Sequence, residues 1–517
     1  MTFEIVFVLL SLLGMVAALI ADKMRPGMIL FSVVVLFLCA GILTPKEMLE
    51  GFSNKGMITV ALLFLVSEGI RQSGTLGQVI KKLLPQGKTT VFKAQLRILP
   101  SVAFISAFLN NTPVVVIFAP IIKHWAKSVN LPATKFLIPL SYVTILGGIC
   151  TLIGTSTNLV VHGMILEAGF EGFSMFELGK VGVFIAIAGI IYLFLFSKRL
   201  LPDARPDTAV PDEEVEEGEK LHRVEAVLGA RFPGINKKLK DFNFQRHYGA
   251  EVKEIKTRNG QRFVSNLEEV VLHEGDTLVV MADDTFIPTW GESSVFVLLT
   301  NGNEPDTTGK KKRWFALLLL VLMIVGATVG ELPITKEMFP DIKLDMFFFV
   351  SITTIIMAWT NLFPARKYTK YISWDILITI ACAFAISKAM VNSGVADAVA
   401  RFIIGMSHHY GPHVLLAAVF IITNLFTELI TNNAAAALAF PLALSISSQM
   451  GVSPMPFFVV ICMAASASFS TPIGYQTNLI VQGIGNYKFT DFVRIGLPLN
   501  IITFLISIFL IPLIWPF

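Results

Sequence analysis

The chain has 517 residues, of which 54% are hydrophobic and 15% charged, and its formal net charge is +4. That balance excludes an ordinary soluble globular domain, and so small a charge over this length gives no footprint for a nucleic-acid partner. Taken in chain order, the first apolar run, Phe3–Ala21, is long enough to cross a hydrocarbon core of roughly 30 Å, which needs about 20 helical residues. It carries Glu4 where a signal peptide carries basic residues, so a retained span is expected. Further spans are expected near 28–43, 57–72, 136–165 and 175–197, with a broken, polar-centred hairpin near 94–122.

From about Pro202 to Lys312 the chain turns polar. The acidic run at 212–217 reads as a solvated linker. Leu221–Gly229, Ala250–Thr257 and Asp276–Ala282 read as short strands by their β-branched alternation, and Asn236–Phe242 as a short helix between the first two. This βαββ-type module is too polar to span a membrane. Beyond it, spans are expected near 314–331, 344–362, 373–391, 456–484 and 492–515, with a second hairpin near 413–447. The predicted domains are a first membrane repeat at 1–200, a cytoplasmic linker and module at 201–309 (core about 220–285), and a second membrane repeat at 310–517.

The two membrane parts resemble each other. Gly154-Thr155-Ser156-Thr157-Asn158-Leu159 matches Gly474-Tyr475-Gln476-Thr477-Asn478-Leu479 at an offset of 474 − 154 = 320, and Ser67…Gly74 matches Ser387…Gly394 at the same offset. Asn110-Asn111-Thr112 matches Thr431-Asn432-Asn433 at 321. Three ordered matches within one residue of the same spacing indicate an internal duplication. If each hairpin enters and leaves on one side, each half crosses an odd number of times and the halves are inverted. Basic clusters such as Lys23/Arg25, Lys81/Lys82, Lys123/Lys127, Lys198/Arg199, Lys310–Arg313 and Arg366/Lys367 then all fall on the cytoplasmic side, and Glu167, Glu171 and Glu177 on the other. The expected fold class is thus an all-α polytopic membrane protein of two inverted repeats, with a small α+β cytoplasmic domain between them. Both termini come out external to a cell inner membrane.

Irregular backbone survives inside a bilayer only where it lines a cavity within the protein. Four segments break the helical pattern: the hairpin centres 108–113 and 429–434, and the runs 147–158 and 468–478. Pro113 and Pro472 remove helix donors, and Gly154 and Gly474 permit a break. Helix N-terminal amides exposed at such breaks attract anions, and unwound carbonyls bind sodium-like cations. Asn158 and Asn478 lie at equivalent positions beside these breaks, and Glu428 is an intramembrane carboxylate beside the second hairpin centre. The bland reading makes these Asn and Thr residues helix-to-helix glue, but duplicated pairs, all at breaks, favour a site at mid-membrane. His162 reads as a packed helix residue, Glu68 and Lys388 as structural charges, and His408, His409 and His413 as a solvated loop. Cys39, Cys150, Cys382 and Cys462 read as packing residues without disulfides. No Walker loop, hydrolase triad or zinc-spaced cluster supports ATP drive or an enzyme.

At these residues the chain resembles the divalent-anion/sodium symporter family of the ion-transporter superfamily, which carries a Ser-Asn-Thr motif at each of two hairpin tips. The aligned triplets are Asn110-Asn111-Thr112 and Thr431-Asn432-Asn433. The resemblance implies a first sodium site at Ser106, Asn110, Asn111 and the Gly154 carbonyl, and a second at Thr427, the Ile430 carbonyl, Asn432 and the Gly474 carbonyl. It places Thr112, Asn433, Thr155 and Tyr475 around the anion, with the rest of both triplets. It also implies a homodimer and an elevator-like motion of the tips and their partner spans. The chain departs from the family where the triplets open with Asn and Thr, which leaves protons as an alternative coupling ion. It departs again where Tyr475 and Gln476 replace smaller residues, which points to a small anion such as sulfate over a dicarboxylate. The polar module is similar to the C-terminal half of a potassium-conductance regulator domain (TrkA-C) through 233–239, 248–255 and 275–280, which implies dimerisation or binding of a small ligand. The expected function is cation-coupled symport, with sodium favoured, of a small divalent anion, inorganic such as sulfate or organic such as a dicarboxylate. The alternatives are an arsenite- or silicate-type exporter and a channel gated by the module.

Overall fold

In hydrocarbon each backbone amide must bond within its own segment, so the long apolar runs become helices. The computed structural model describes residues 3–21, 24–203, 222–229, 232–257, 261–283, 286, 290, 295–300, 310–339, 341–406 and 411–517. The acidic run at 212–217 and the pair His408/His409 lie outside these. The first part contains α1 (Phe3–Ala21), α2 (Pro26–Cys39), α3 (Pro45–Glu50), α4 (Lys55–Gln72), α5 (Thr75–Leu83), α6 (Val91–Ser106), α7 (Asn111–Ser128), α8 (Thr134–Gly148), α9 (Ser156–Glu167) and α10 (Gly179–Leu200). The central module follows as β1 (His222–Leu228), α11 (Phe244–Tyr248), β2 (Glu251–Lys256), β3 (Arg262–Phe263), β4 (Thr277–Ala282) and β5 (Phe296–Thr300). The last part contains α12 (Lys310–Gly330), α13 (Pro333–Met338), α14 (Met346–Trp359), α15 (Tyr368–Tyr371), α16 (Trp374–Asn392), α17 (Val395–Met406), α18 (Gly411–Leu429), α19 (Asn432–Met450), α20 (Met455–Ser466), α21 (Gln476–Gly485) and α22 (Phe489–Ile514). Among the described residues, 7 helices are long and apolar enough to cross a membrane.

The breaks fall where the sequence reading expects them. Hairpin α6/α7 turns at 107–110 and hairpin α18/α19 at 430–431, while the long spans divide into α8/α9 and α20/α21. Several short helices were not anticipated, α5 and α17 the longest of them. α5 and α17 each follow a glycine in the left-handed region, Gly74 (φ 69°) and Gly394 (φ 75°), and they are too short to register as spans. The glycine at each point lets the chain reverse without a Cβ clash. Tertiary packing then crosses the halves: α7 lies on α21, and α19 lies on α9.

The module's five strands form one antiparallel sheet in the order β3-β2-β4-β1-β5. The helix expected at Asn236–Phe242 is only a 3-10 turn at Leu239–Asp241. Asn236 takes a positive φ of 61°, and the Asn243 side chain accepts from the Arg246 amide at 2.9 Å, so the helix starts one capping residue later, at Phe244. Strand alternation sends Val224, Ala226 and Leu228 into the module's own core with Phe232 and Phe244. Val227, on the other face, joins the membrane core instead. All four cysteines are free. Cys39 is exposed rather than packed, because it closes α2 at the surface.

Candidate substrate site

The first hairpin ends at Ser106 and restarts at Asn111. The Ser106 hydroxyl donates to Asn111 Oδ1 at 2.8 Å. The second hairpin repeats this bond with other atoms: Thr427 Oγ1 donates to Asn432 Oδ1 at 2.7 Å. All four residues are buried. A Cβ on Gly148 would stand 2.7 Å from Asn111 Oδ1 and 3.1 Å from the Gly154 carbonyl, and one on Gly474 would stand 2.6 Å from the Thr427 carbonyl. Ser106, Asn111 and Gly154 therefore gather in one cluster, and Thr427, Asn432 and Gly474 in another, each made of neutral oxygens. Asn110 stands between the turn and the start of α7. It precedes α7 without making a capping bond and lines a cavity with Ser67, Ile153, Ser156 and Leu320. Thr431 precedes α19 in the same way, with its buried hydroxyl unbonded.

The two broken spans are held open by matching bonds. Asn158 Nδ2 donates to the carbonyls of Gly148 (3.4 Å) and Thr151 (2.9 Å). Asn478 Nδ2 donates to those of Ser468 (2.8 Å) and Thr471 (3.1 Å). The amides of Gly154 and Gly474 donate to the hydroxyls of Thr151 and Thr471, each at 3.2 Å. Every position in the second set is 320 residues after its counterpart in the first. Each Asn acts as a template that satisfies carbonyls freed by the break, the condition for irregular backbone inside a membrane.

Tips and breaks then meet across the halves. Asn111 Nδ2 donates to the Tyr475 hydroxyl at 2.6 Å, and that hydroxyl lies 3.2 Å from Thr155 Oγ1 and also bonds Asn432. Thr112 Oγ1 donates to Gln476 Oε1 at 3.3 Å. Ser156 and Thr157 donate to Asn433 Oδ1, each at 3.3 Å. The starts of α7, α9, α19 and α21 thus converge on one point, with Tyr475 in the middle. Each helix start carries roughly half a positive charge from its peptide dipoles. The helices that end here, α6, α8, α18 and α20, turn carbonyl ends toward the same region. None of these tip-to-break bonds involves a charged side chain.

Several working residues were missed by sequence reasoning. Thr151 and Thr471 sit inside the duplicated runs at the 320-residue offset, so a position-by-position comparison finds them. Ser141, whose hydroxyl donates to Asn478 Oδ1 (2.7 Å) and lies 2.8 Å from Thr477 Oγ1, is in an apolar helix and gives no such signal. Glu428 takes a supporting place. Its Oε1 accepts from the Ser470 amide (2.8 Å) and from Asn500 Nδ2 (2.7 Å), so it braces the second break from behind. Glu68 is paired with Arg71 at 2.7 Å, as a structural charge should be. His162 is packed against Gly172.

Polar residues buried at paired helix breaks, within a bundle of membrane-length helices, define a membrane transporter and not an enzyme. The chain belongs to the citrate transporter (CitMHS) family, whose model matches residues 16–447 and 335–516. It is 30% identical to an uncharacterised transporter of Synechocystis, over 93% of this chain and 92% of the other. It is 28% identical to a putative sulfur deprivation response regulator of Chlamydomonas reinhardtii, over 93% and 96% of the two chains. A probable sodium/sulfate cotransporter of the same alga is 23% identical, over 95% of this chain and 86% of its own.

Proposed function

We propose that this protein is a sodium-coupled symporter of a small divalent anion, with sulfate the preferred substrate. The observation that carries the reading is the convergence of four helix N-termini, from α7, α9, α19 and α21, on a neutral pocket centred on Tyr475. Such a point attracts an anion without a fixed cation. The two oxygen clusters supply the compensating charge when each holds sodium, a hard ion that suits hydroxyl, amide and carbonyl oxygens. Ser106, Asn111 and Gly154 would hold one ion, and Thr427, Asn432 and Gly474 the other, with the Ile430 carbonyl at the second. Asn110, beside Asn111 at the same tip, would complete the first set. The relatives named for sodium/sulfate cotransport support both the ion and the anion.

The repeated bonds at a 320-residue spacing support two inverted repeats, and the reciprocal packing of α7 on α21 and α19 on α9 supports their facing each other across the site. In this reading the tips and breaks move together against the remaining helices of a homodimer in the inner membrane. The central sheet is a TrkA-C-like cytoplasmic domain, and both termini are external.

Tyr475 limits the size of the anion. Its hydroxyl occupies the middle of the pocket and engages both tips, so shortening the side chain opens room for a longer substrate. Tyr475→Ala is expected to move the succinate-to-sulfate ratio of kcat/KM toward succinate by at least about tenfold, the scale on which pocket volume discriminates. Competition uptake measures that ratio, and an unchanged value removes Tyr475 from the pocket wall.

The deciding experiment is uptake of labelled sulfate into proteoliposomes, with and without an inward sodium gradient and with succinate in parallel. Accumulation above equilibrium that requires the gradient is the expected result. Accumulation of neither anion under sodium or proton gradients moves the reading to export. Non-saturating, gradient-independent flux moves it to a channel.

A further inference from the structure

The two halves share their bonds at the breaks but not the residues behind them. Behind the second break stand Glu428 near the end of α18, Ser470 in the break itself and Asn500 on α22. Glu428 Oε1 takes two donors, the Ser470 amide at 2.8 Å and Asn500 Nδ2 at 2.7 Å. The same Nδ2 also reaches Ser470 Oγ at 2.8 Å.

The first half has the same frame with other side chains on it. The Thr151 hydroxyl donates to the Ala107 carbonyl as the Thr471 hydroxyl donates to that of Glu428. Glu428 therefore corresponds to Ala107, and Ser470 to Cys150. Gly182 of α10 and Gly496 of α22 pass against the carbonyls of Ile149 and Phe469 in turn. Asn500, four residues after Gly496, then corresponds to Ala186, four after Gly182. Three polar residues occupy places where the first half has Ala107, Cys150 and Ala186. The first break forms without them, so a break of this shape does not require them.

Bracing also uses only part of each side chain. Glu428 Oε2 and Asn500 Oδ1 are buried acceptors with no hydrogen-bond partner, and Asn500 is only 6% exposed. Among the described residues no basic side chain pairs with the Glu428 carboxylate. A carboxylate kept from water is costly, and proteins compensate it with a paired charge or a bound metal. The two free atoms are hard oxygen donors, one from a carboxylate and one from an amide, with the Ser470 hydroxyl between their residues. The single negative charge is matched by a single positive one.

We propose that Glu428, Ser470 and Asn500 form a third cation site, for a hard monovalent ion such as sodium, present in the second half alone. Unlike the two clusters of neutral oxygens it supplies its own counter-charge, and it shares no residue with either.

Equilibrium binding of radiolabelled sodium to the full-length protein in detergent tests this without any substrate, at fixed pH and with choline holding the ionic strength. Glu428→Gln keeps the shape and an oxygen for the Ser470 amide but removes the charge. It is expected to bind one sodium ion fewer per chain than wild type. Glu428→Gln/Asn500→Asp returns one negative charge to the same group of atoms and should restore the wild-type count, which a residue serving only as a brace would not do. An equal count in wild type and Glu428→Gln overturns the site, and so does a double variant that stays at the lower count. The tip clusters are read separately through Asn111→Ala and Asn432→Ala. Sodium counts unchanged in those two, in a protein that moves neither sulfate nor succinate, refute the symport reading and leave the third site standing.

Discussion

On the proposed symport reading, Asn111→Ala and Asn432→Ala are each expected to reduce saturable anion uptake by at least about 30-fold. Asn111 accepts from Ser106 and donates to Tyr475, both within the buried tip-to-break junction. Removing its amide leaves two buried hydroxyls short of a partner, at about 1–3 kcal/mol each. Even the lower sum, about 2 kcal/mol, corresponds to about 30-fold in an equilibrium constant. Asn432 stands in the same relation to Thr427 and Tyr475, so the two variants should fail alike. Initial rates over a range of sulfate and sodium concentrations measure the effect. On the proposed symport reading each Asn gives an oxygen to a sodium cluster as well as a bond to the pocket, so the loss should come with a weaker sodium dependence. Normal uptake by both variants would remove the hairpin tips from the site.

Asn158→Leu and Asn478→Leu act on stability rather than on the pocket. Each Asn is buried and donates to two carbonyls released by a helix break. Leucine fills a similar volume but leaves both carbonyls without a donor in a region that water does not reach. At about 1–3 kcal/mol per orphaned group, each variant loses about 2–6 kcal/mol, a large share of the stability of an ordinary fold. The expected result is a lower thermal midpoint in detergent and a smaller monodisperse fraction, to a similar extent for both. A large loss in one variant and none in the other would separate two breaks that share the same bonds 320 residues apart.

Much of this organisation was legible before any coordinates. Long apolar runs fix the helices, since the bilayer core sets their length and forbids unpaired backbone. The spacing of 320 residues paired Gly154 with Gly474 and Asn158 with Asn478, and both pairs share their bonding in the fold. The module's three principal strands were visible from β-branched alternation, within one residue at each end. The short helices α5 and α17 were not, because an element of 9 or 12 residues beside a span carries no separate hydropathy signal.

What the chain alone determined, then, is which segments are apolar helices, where they break, and which neutral polar residues stand at the breaks, because those follow from local composition and the dielectric of the bilayer. Only the tertiary structure decided which breaks meet. It joined Asn111 to Tyr475 across 364 residues and set Asn433 against Ser156 and Thr157. It put Glu428 behind the second break and turned one face of the central sheet onto α7 and α21. Those outcomes depend on shape and register between distant helices, and a polar residue in an apolar run has the same sequence signature whether it lines a pocket or braces the helix behind it.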